Sequence, residues 1–83
     1  MCRIVLSRQA QKDLEKVDES YKPHVFAALF DLKKDPYLGK KLQGKFKDYY
    51  SLRVGNYRII YRIYKKELNI LVIRIGHRQG IYK

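Results

Sequence analysis

Two hydrophobic periods divide the chain. Between Tyr49 and Tyr64, aromatic and β-branched residues alternate with polar ones on both sides of Gly55-Asn56. Tyr50, Leu52 and Val54 fall on one side of the first run, and Tyr49, Ser51 and Arg53 on the other. In the second run Tyr57, Ile59, Tyr61 and Ile63 lie opposite Arg58, Ile60, Arg62 and Tyr64. A period of two is that of a strand, whose successive side chains point to opposite faces. The Gly-Asn pair predicts a tight hairpin, because type I′ and II′ turns need a positive φ there. A third run, Asn69 to Ile75, follows Lys65-Lys66-Glu67, which reads as the second turn. The last three strands are therefore predicted to form an antiparallel meander. Arg3 to Leu6 predicts a short first strand.

The other period is helical. Ala10, Leu14 and Val17 recur at i, i+4 and i+7 after Ser7, whose hydroxyl suits an N-cap. Arg8, Lys12, Asp13, Glu15 and Lys16 are expected on the solvated faces, with the helix stopping near Asp18-Glu19. Ser20 is expected to cap a second helix, with Pro23 in its first turn, where the missing N–H costs nothing. Val25, Leu29 and Leu32 form its apolar stripe, widened by Phe26 and Phe30. Lys33 and Lys34 suit its last turn, and Asp35-Pro36 ends it. So short a link predicts an antiparallel helical hairpin. Residues 36–48 read as a loop anchored by Leu42 and Phe46.

These elements predict a single α+β domain over residues 1–83, in the order β-α-α-β-β-β. Each hairpin strand has one apolar face and one bearing arginine, the pattern of an antiparallel sheet covered on one side. The helical hairpin supplies that cover on a small, mainly antiparallel four-stranded sheet. The arginine face is left open.

Charge sharpens this picture. Of the net +11, residues 1–41 carry nine Lys/Arg and six Asp/Glu, and residues 42–83 carry ten and two, so the strand half holds +8. A basic surface of this density points to phosphate. Nucleic acid fits better than a membrane, because the cations sit on strands and not on an amphipathic helix; solubility alone is the bland reading. Cys2 is the only cysteine, no run reaches membrane-span length, and no leader is apparent, so a cytoplasmic protein is expected.

Leu52-Arg53-Val54-Gly55-Asn56-Tyr57-Arg58-Ile59-Ile60-Tyr61, then Ile75-Gly76-His77-Arg78 and Ile81-Tyr82, resembles the RelE/ParE superfamily of toxin–antitoxin toxins. The likeness extends to the helical hairpin and the Lys41-Leu42-Gln43-Gly44 loop. The tail is most similar to RelE-type toxins. That resemblance implies a ribosome-dependent mRNA endonuclease, or mRNA interferase, that cuts in the A site and is silenced by a RelB-like acidic antitoxin. It matches Arg58, Arg78 and Tyr82 to residues of the family's basic active site. Family members commonly carry lysines on the first hairpin strand; this chain has Tyr49 and Ser51 there, with Lys45 and Lys47 just upstream.

The residues suit metal-free chemistry. A two-metal nuclease needs clustered carboxylates, and the basic half holds only Asp48 and Glu67. No cofactor is expected. A 2′-hydroxyl attacking its own phosphodiester needs a base, an acid and cations on the phosphorane. Arg58 and Arg78 suit the cation role, because a guanidinium fork binds two oxygens and stays charged. His77, an imidazole able to give or take a proton, reads equally as acid or base or as a packed strand-end residue. Tyr82 reads equally as a proton carrier or base-stacking ring and as an aromatic cover for the sheet edge. Lys45, Lys47, Arg53 and Arg62 are candidate RNA or phosphate contacts. Two further readings stay open: a ParE-type inhibitor of DNA gyrase, and an inactive basic RNA-binding module. The expected partners are the antitoxin, in a hetero-oligomer, and the ribosome with its mRNA, with no membrane.

Overall fold

The two-residue turn that reverses the chain at Gly55-Asn56 sets the register of the two strands it joins. A computed structural model describes residues 2–77. Strands β3 (Tyr50–Val54) and β4 (Tyr57–Tyr64) flank the turn and pair antiparallel, Val54 with Tyr57 and Tyr50 with Tyr61. Gly55 has φ +60° and no positive φ occurs at Asn56, as in a type II′ turn. Gly55 is also needed for space, since a Cβ there would overlap the Tyr21 ring. Gly55→Ala therefore combines a left-handed backbone with a clash. It is expected to destabilise the fold by about 2 kcal/mol or more, read by urea unfolding.

Three further strands complete the sheet. Strand β5 (Asn69–His77) pairs antiparallel with β4, and β1 (Arg3–Leu6) pairs parallel with the first half of β5. A short β2 (Lys40–Lys41) adds to the free edge of β3. The sheet thus has five strands in the order β1-β5-β4-β3-β2, and is mixed. The expected sheet of four strands gains one, because the 36–48 segment is not simply a loop. It contains β2 and a 3₁₀ turn, Gly44–Phe46.

Helices α1 (Arg8–Lys16) and α2 (Lys22–Lys34) cover one side. Ser7 caps α1, its Oγ accepting from the Ala10 N–H at 3.0 Å. Helix α1 stops two residues earlier than expected, with Val17 as its C-cap. Tyr21 rather than Ser20 is the N-cap of α2, and its side chain makes no capping bond; Pro23 falls in the first turn as expected. Ala10, Val17, Val25, Leu29 and Leu32 pack with Tyr57, Ile59, Tyr61, Ile70, Val72 and Ile75 in one core. Burying each large aliphatic there contributes roughly 2 kcal/mol.

Three helical residues depart from the periodic reading. Phe26 and Phe30 are 54% and 52% exposed, so they do not widen the buried stripe of α2. The sheet covers only the Val25, Leu29 and Leu32 side, and Lys34 Nζ sits 4.6 Å over the Phe30 ring instead. Asp13, expected in solvent, is buried. Its Oδ2 accepts from the Ile75 N–H at 3.0 Å and from Arg74 Nε at 2.8 Å, and its Oδ1 accepts from Gln9 Nε2 at 2.9 Å. Strand β1 pairs β5 only as far as Val72, so the carboxylate does for Ile75 what a longer β1 would have done.

Strand β5 carries one more surprise. Ile60 pairs with Arg74 while the next residue, Tyr61, pairs with Val72, so Ile73 is a bulged residue. One extra residue inverts the facing of everything beyond it. Ile70 and Val72 face the helices before the bulge, and Ile75 does so after it. The Ser7 hydroxyl donates to the bulged Ile73 carbonyl at 2.9 Å, tying the start of α1 to this point.

Candidate functional site

On β3 and β4 the alternation places Ser51, Arg53, Arg58, Ile60, Arg62 and Tyr64 on the side away from the helices. There the β3–β4 register sets Arg53 directly opposite Arg58, and the β2–β3 register sets Lys40 opposite Ser51. Arg58 Nη1 donates to Ser51 Oγ at 3.4 Å. Lys40, Leu42, Ser51, Arg53 and Arg58 line a hollow of about 280 Å³. Like charges directly opposed across a sheet are unfavourable. Two arginines and a lysine around one hollow concentrate positive charge there.

This face is not bare. Ile60, between Arg58 and Arg62 on β4, is only 5% exposed although it points away from the helices. Ser51 is also buried, at 7%. The Arg58 guanidinium meets the buried Ser51 hydroxyl in a hollow that Leu42 also lines.

Lys40 reaches this hollow because the preceding loop is pinned from below. Tyr61 is fully buried, and its hydroxyl donates to the Pro36 carbonyl at 2.8 Å and accepts from the Gly39 N–H at 2.9 Å. A Cβ at Gly39 would overlap that hydroxyl, so glycine permits the approach. Burial pushes the Tyr61 phenol up to about 12; the Gly39 N–H opposes this and nearby Tyr50 and Asp35 add to it. The neutral phenol is the stabilised form, so its contribution is whole below pH 10 and is lost as pH rises toward 12. Tyr61→Phe is expected to cost about 1–2 kcal/mol and to remove that alkaline dependence, as unfolding at neutral and high pH would report.

The other sequence-predicted residues are dispersed. His77 pairs with Tyr57, and the two rings stack at 4.5 Å, so the imidazole lies on the Tyr57 side of β5 and not on the Arg58 side. Lys47 lines a separate shallow depression of about 650 Å³ with Lys41, Leu42, Gln43, Gly44 and Asp48. Lys45 Nζ lies 5.6 Å over the Phe46 ring. Arg62 sits farther along β4, between two tyrosines. Arg78 and Tyr82 lie outside the described residues. Lys40 and Ser51 were not among the sequence candidates, although the parity that placed Arg53 also placed Ser51. Among the described residues, no three His, Cys, Asp or Glu side chains cluster as metal ligands, and no helix is long and apolar enough to cross a membrane.

The family described as ParE toxin of type II toxin-antitoxin system, parDE, matches residues 4–82. This chain is a member of the RelE/ParE toxin superfamily. Toxin RelG of Mycobacterium tuberculosis is 32% identical over 80 residues, covering 89% of this chain and 87% of RelG. A chain of the M. tuberculosis toxin–antitoxin complex RelBE2 superposes with a TM-score of 0.86 at 29% identity, over 93% of this chain and 98% of that one. The isolated E. coli RelE toxin shares the fold, with a TM-score of 0.82 at 20% identity, over 93% and 84% of the two chains. The protein is thus a toxin of a toxin–antitoxin system, and its helices on a mixed five-stranded sheet are the RelE/ParE architecture.

Proposed function

We propose that this toxin is a ribosome-dependent mRNA endonuclease of the RelE type, cutting in the A site without a metal. The observation that carries the reading is the opposition of Arg53 and Arg58 in a hollow shared with Lys40 and Ser51. In the reaction, the 2′-oxygen bonds to the adjacent phosphorus and its proton passes to a base. The P–O5′ bond breaks, and O5′ takes up a proton. The products are a 2′,3′-cyclic phosphate and a 5′-hydroxyl. Arg58 donates to the non-bridging oxygens as charge builds on them, with Arg53 and Lys40 adding to the field. Arg78 is the proposed second cation and Tyr82 the proposed proton carrier or stacking ring. His77, stacked on Tyr57, is assigned to fixing the strand end.

The same basic face is the proposed seat of a RelB-like acidic antitoxin that folds on it and silences it. A similar chain occurs in the toxin–antitoxin complex RelBE2 of M. tuberculosis, which supports an antitoxin partner. Pull-down of the native toxin is expected to bring a small acidic chain with it.

The ParE description of the matching family favours the second reading, inhibition of DNA gyrase. One pair of assays separates the two. Programmed ribosomes incubated with the toxin are expected to yield new mRNA 5′ ends in the A-site codon by primer extension, with gyrase supercoiling unaffected. Unchanged mRNA together with blocked supercoiling would reverse the assignment. If neither occurs and expression does not arrest growth, an inactive RNA-binding module is left.

A further inference from the structure

We infer that Tyr49, Arg62 and Tyr64 form a platform on which a nucleobase stacks, distinct from the phosphate hollow at Arg58. The inference rests on the RNA-binding reading above and adds a second subsite to it. The Arg62 guanidinium lies 5.7 Å from the centre of the Tyr49 ring and 5.4 Å from that of Tyr64, so it bridges two aromatic rings. None of the three belongs to the hydrophobic core. Arg62 and Tyr64 face away from the helices, and the Arg62 side chain and Tyr64 keep 39% and 36% of their surface exposed. The core thus does not account for this stacking, and part of its surface is open to a ligand.

The chemistry favours a base over a phosphate. Asp48 Oδ2 lies 4.0 Å from Arg62 Nη2 and partly neutralises it. A phosphate would meet that carboxylate as well as the guanidinium. A base is uncharged, and it stacks on tyrosine rings and guanidinium planes alike. Phosphates have other partners nearby. Arg62 also lines a cavity of about 180 Å³ with Lys41, Asp48, Tyr50, Ile63 and Lys65, whose two lysines suit the backbone of the stacked nucleotide. Arg62 stands four residues beyond Arg58 on the same side of β4, roughly 13 Å away at the strand repeat. One extended RNA strand can therefore engage both subsites, with its scissile phosphate at Arg58 and a flanking base on the tyrosines.

The test uses binding, not cleavage. A 2′-O-methyl RNA hexanucleotide cannot be cut by 2′-hydroxyl attack, and its affinity is read by fluorescence anisotropy. A single abasic unit is moved through its six positions. The wild-type toxin is expected to lose about 5- to 100-fold in affinity at one or two positions only. Tyr64→Leu and Tyr49→Leu are expected to lose a similar factor for the intact oligonucleotide and nothing further for the abasic one, with an unchanged salt dependence. Tyr64→Phe and Tyr49→Phe keep the ring and are expected to bind as wild type. Because the abasic series uses the wild-type protein, misfolding of a leucine variant leaves the test intact. Equal affinity at every abasic position would overturn the platform, as would loss of binding in the phenylalanine variants. New A-site ends with no base-dependent affinity would leave the nuclease reading standing without the platform. Base-dependent affinity with no cleavage would do the reverse.

Discussion

Arg58→Ala is expected to slow A-site cleavage by about 10²- to 10³-fold, the usual cost of removing one donor aimed at transition-state charge. Arg58 is placed on the open face by the hairpin itself. The hairpin register holds it opposite Arg53, and its Nη1 reaches Ser51 Oγ. The new charge of the phosphorane develops on non-bridging oxygens, where a guanidinium fork supplies two parallel bonds and a lysine only one point charge. Arg58→Lys is therefore expected to recover part of the rate, and Arg53→Ala to cost less than Arg58→Ala. Primer extension on programmed ribosomes gives the rates, and a cooperative thermal melt shows that each variant folds. Full cleavage by folded Arg58→Ala would remove this residue from the site and leave the hollow without its assigned chemistry.

The hairpin and its facing were legible because they rest on rules that tertiary packing rarely overrides. A glycine in a two-residue turn and a period of two fix which residues share a side, and the resulting division put Ser51, Arg53, Arg58 and Arg62 together before any coordinates. What escaped the sequence depends on contacts between distant segments. Strand β2 is two residues long, too short to show a period, and its position depends on the Tyr61 hydroxyl pinning residues 36–39. Lys40 enters the hollow through that pinning together with the pairing of β2 on β3. The bulge at Ile73 has no signature in an unbroken β-branched run, so strict alternation would have set Arg74 inside and Ile75 outside, the reverse of what is found. The inward side of His77 follows from the same bulge. Phe26 and Phe30 show the opposite failure: a stripe wider than the sheet beneath it leaves its margin in solvent. The comparisons with known toxins support the fold and the family, while the chemistry of the open face rests on the geometry of its own cations.

Asp13 is the clearest case of a residue whose position carried a signal that charge obscured. It stands three residues after Ala10 and one before Leu14, on the buried side of α1, and an acid there requires partners. The partners are the Ile75 N–H, on the stretch of β5 that β1 does not reach, the Arg74 guanidinium and Gln9. Burial works against the charged carboxylate, but the Arg74 bond, the Ile75 N–H, the Gln9 amide and the Arg74 charge outweigh it, and its pKa lies below 3.8. Asp13→Ala is expected to cost about 3 kcal/mol at neutral pH, since it strips a strand N–H and a cation of their acceptor. For a domain of this size that is roughly 12–24 °C in Tm. Asp13→Asn is expected to cost less, because its amide oxygen can still accept from Ile75. The sign of the pH dependence is fixed by the lowered pKa: the stabilisation is complete above 3.8 and is lost as pH falls through the folded-state value. The gap between wild type and Asp13→Asn should therefore narrow as unfolding is followed from neutral pH down through the carboxylate range. A gap that held constant, or widened in acid, would mean that the carboxylate acts by shape and not by charge. The bulged half of β5 would then owe its order to the Ser7–Ile73 bond and the core beneath it.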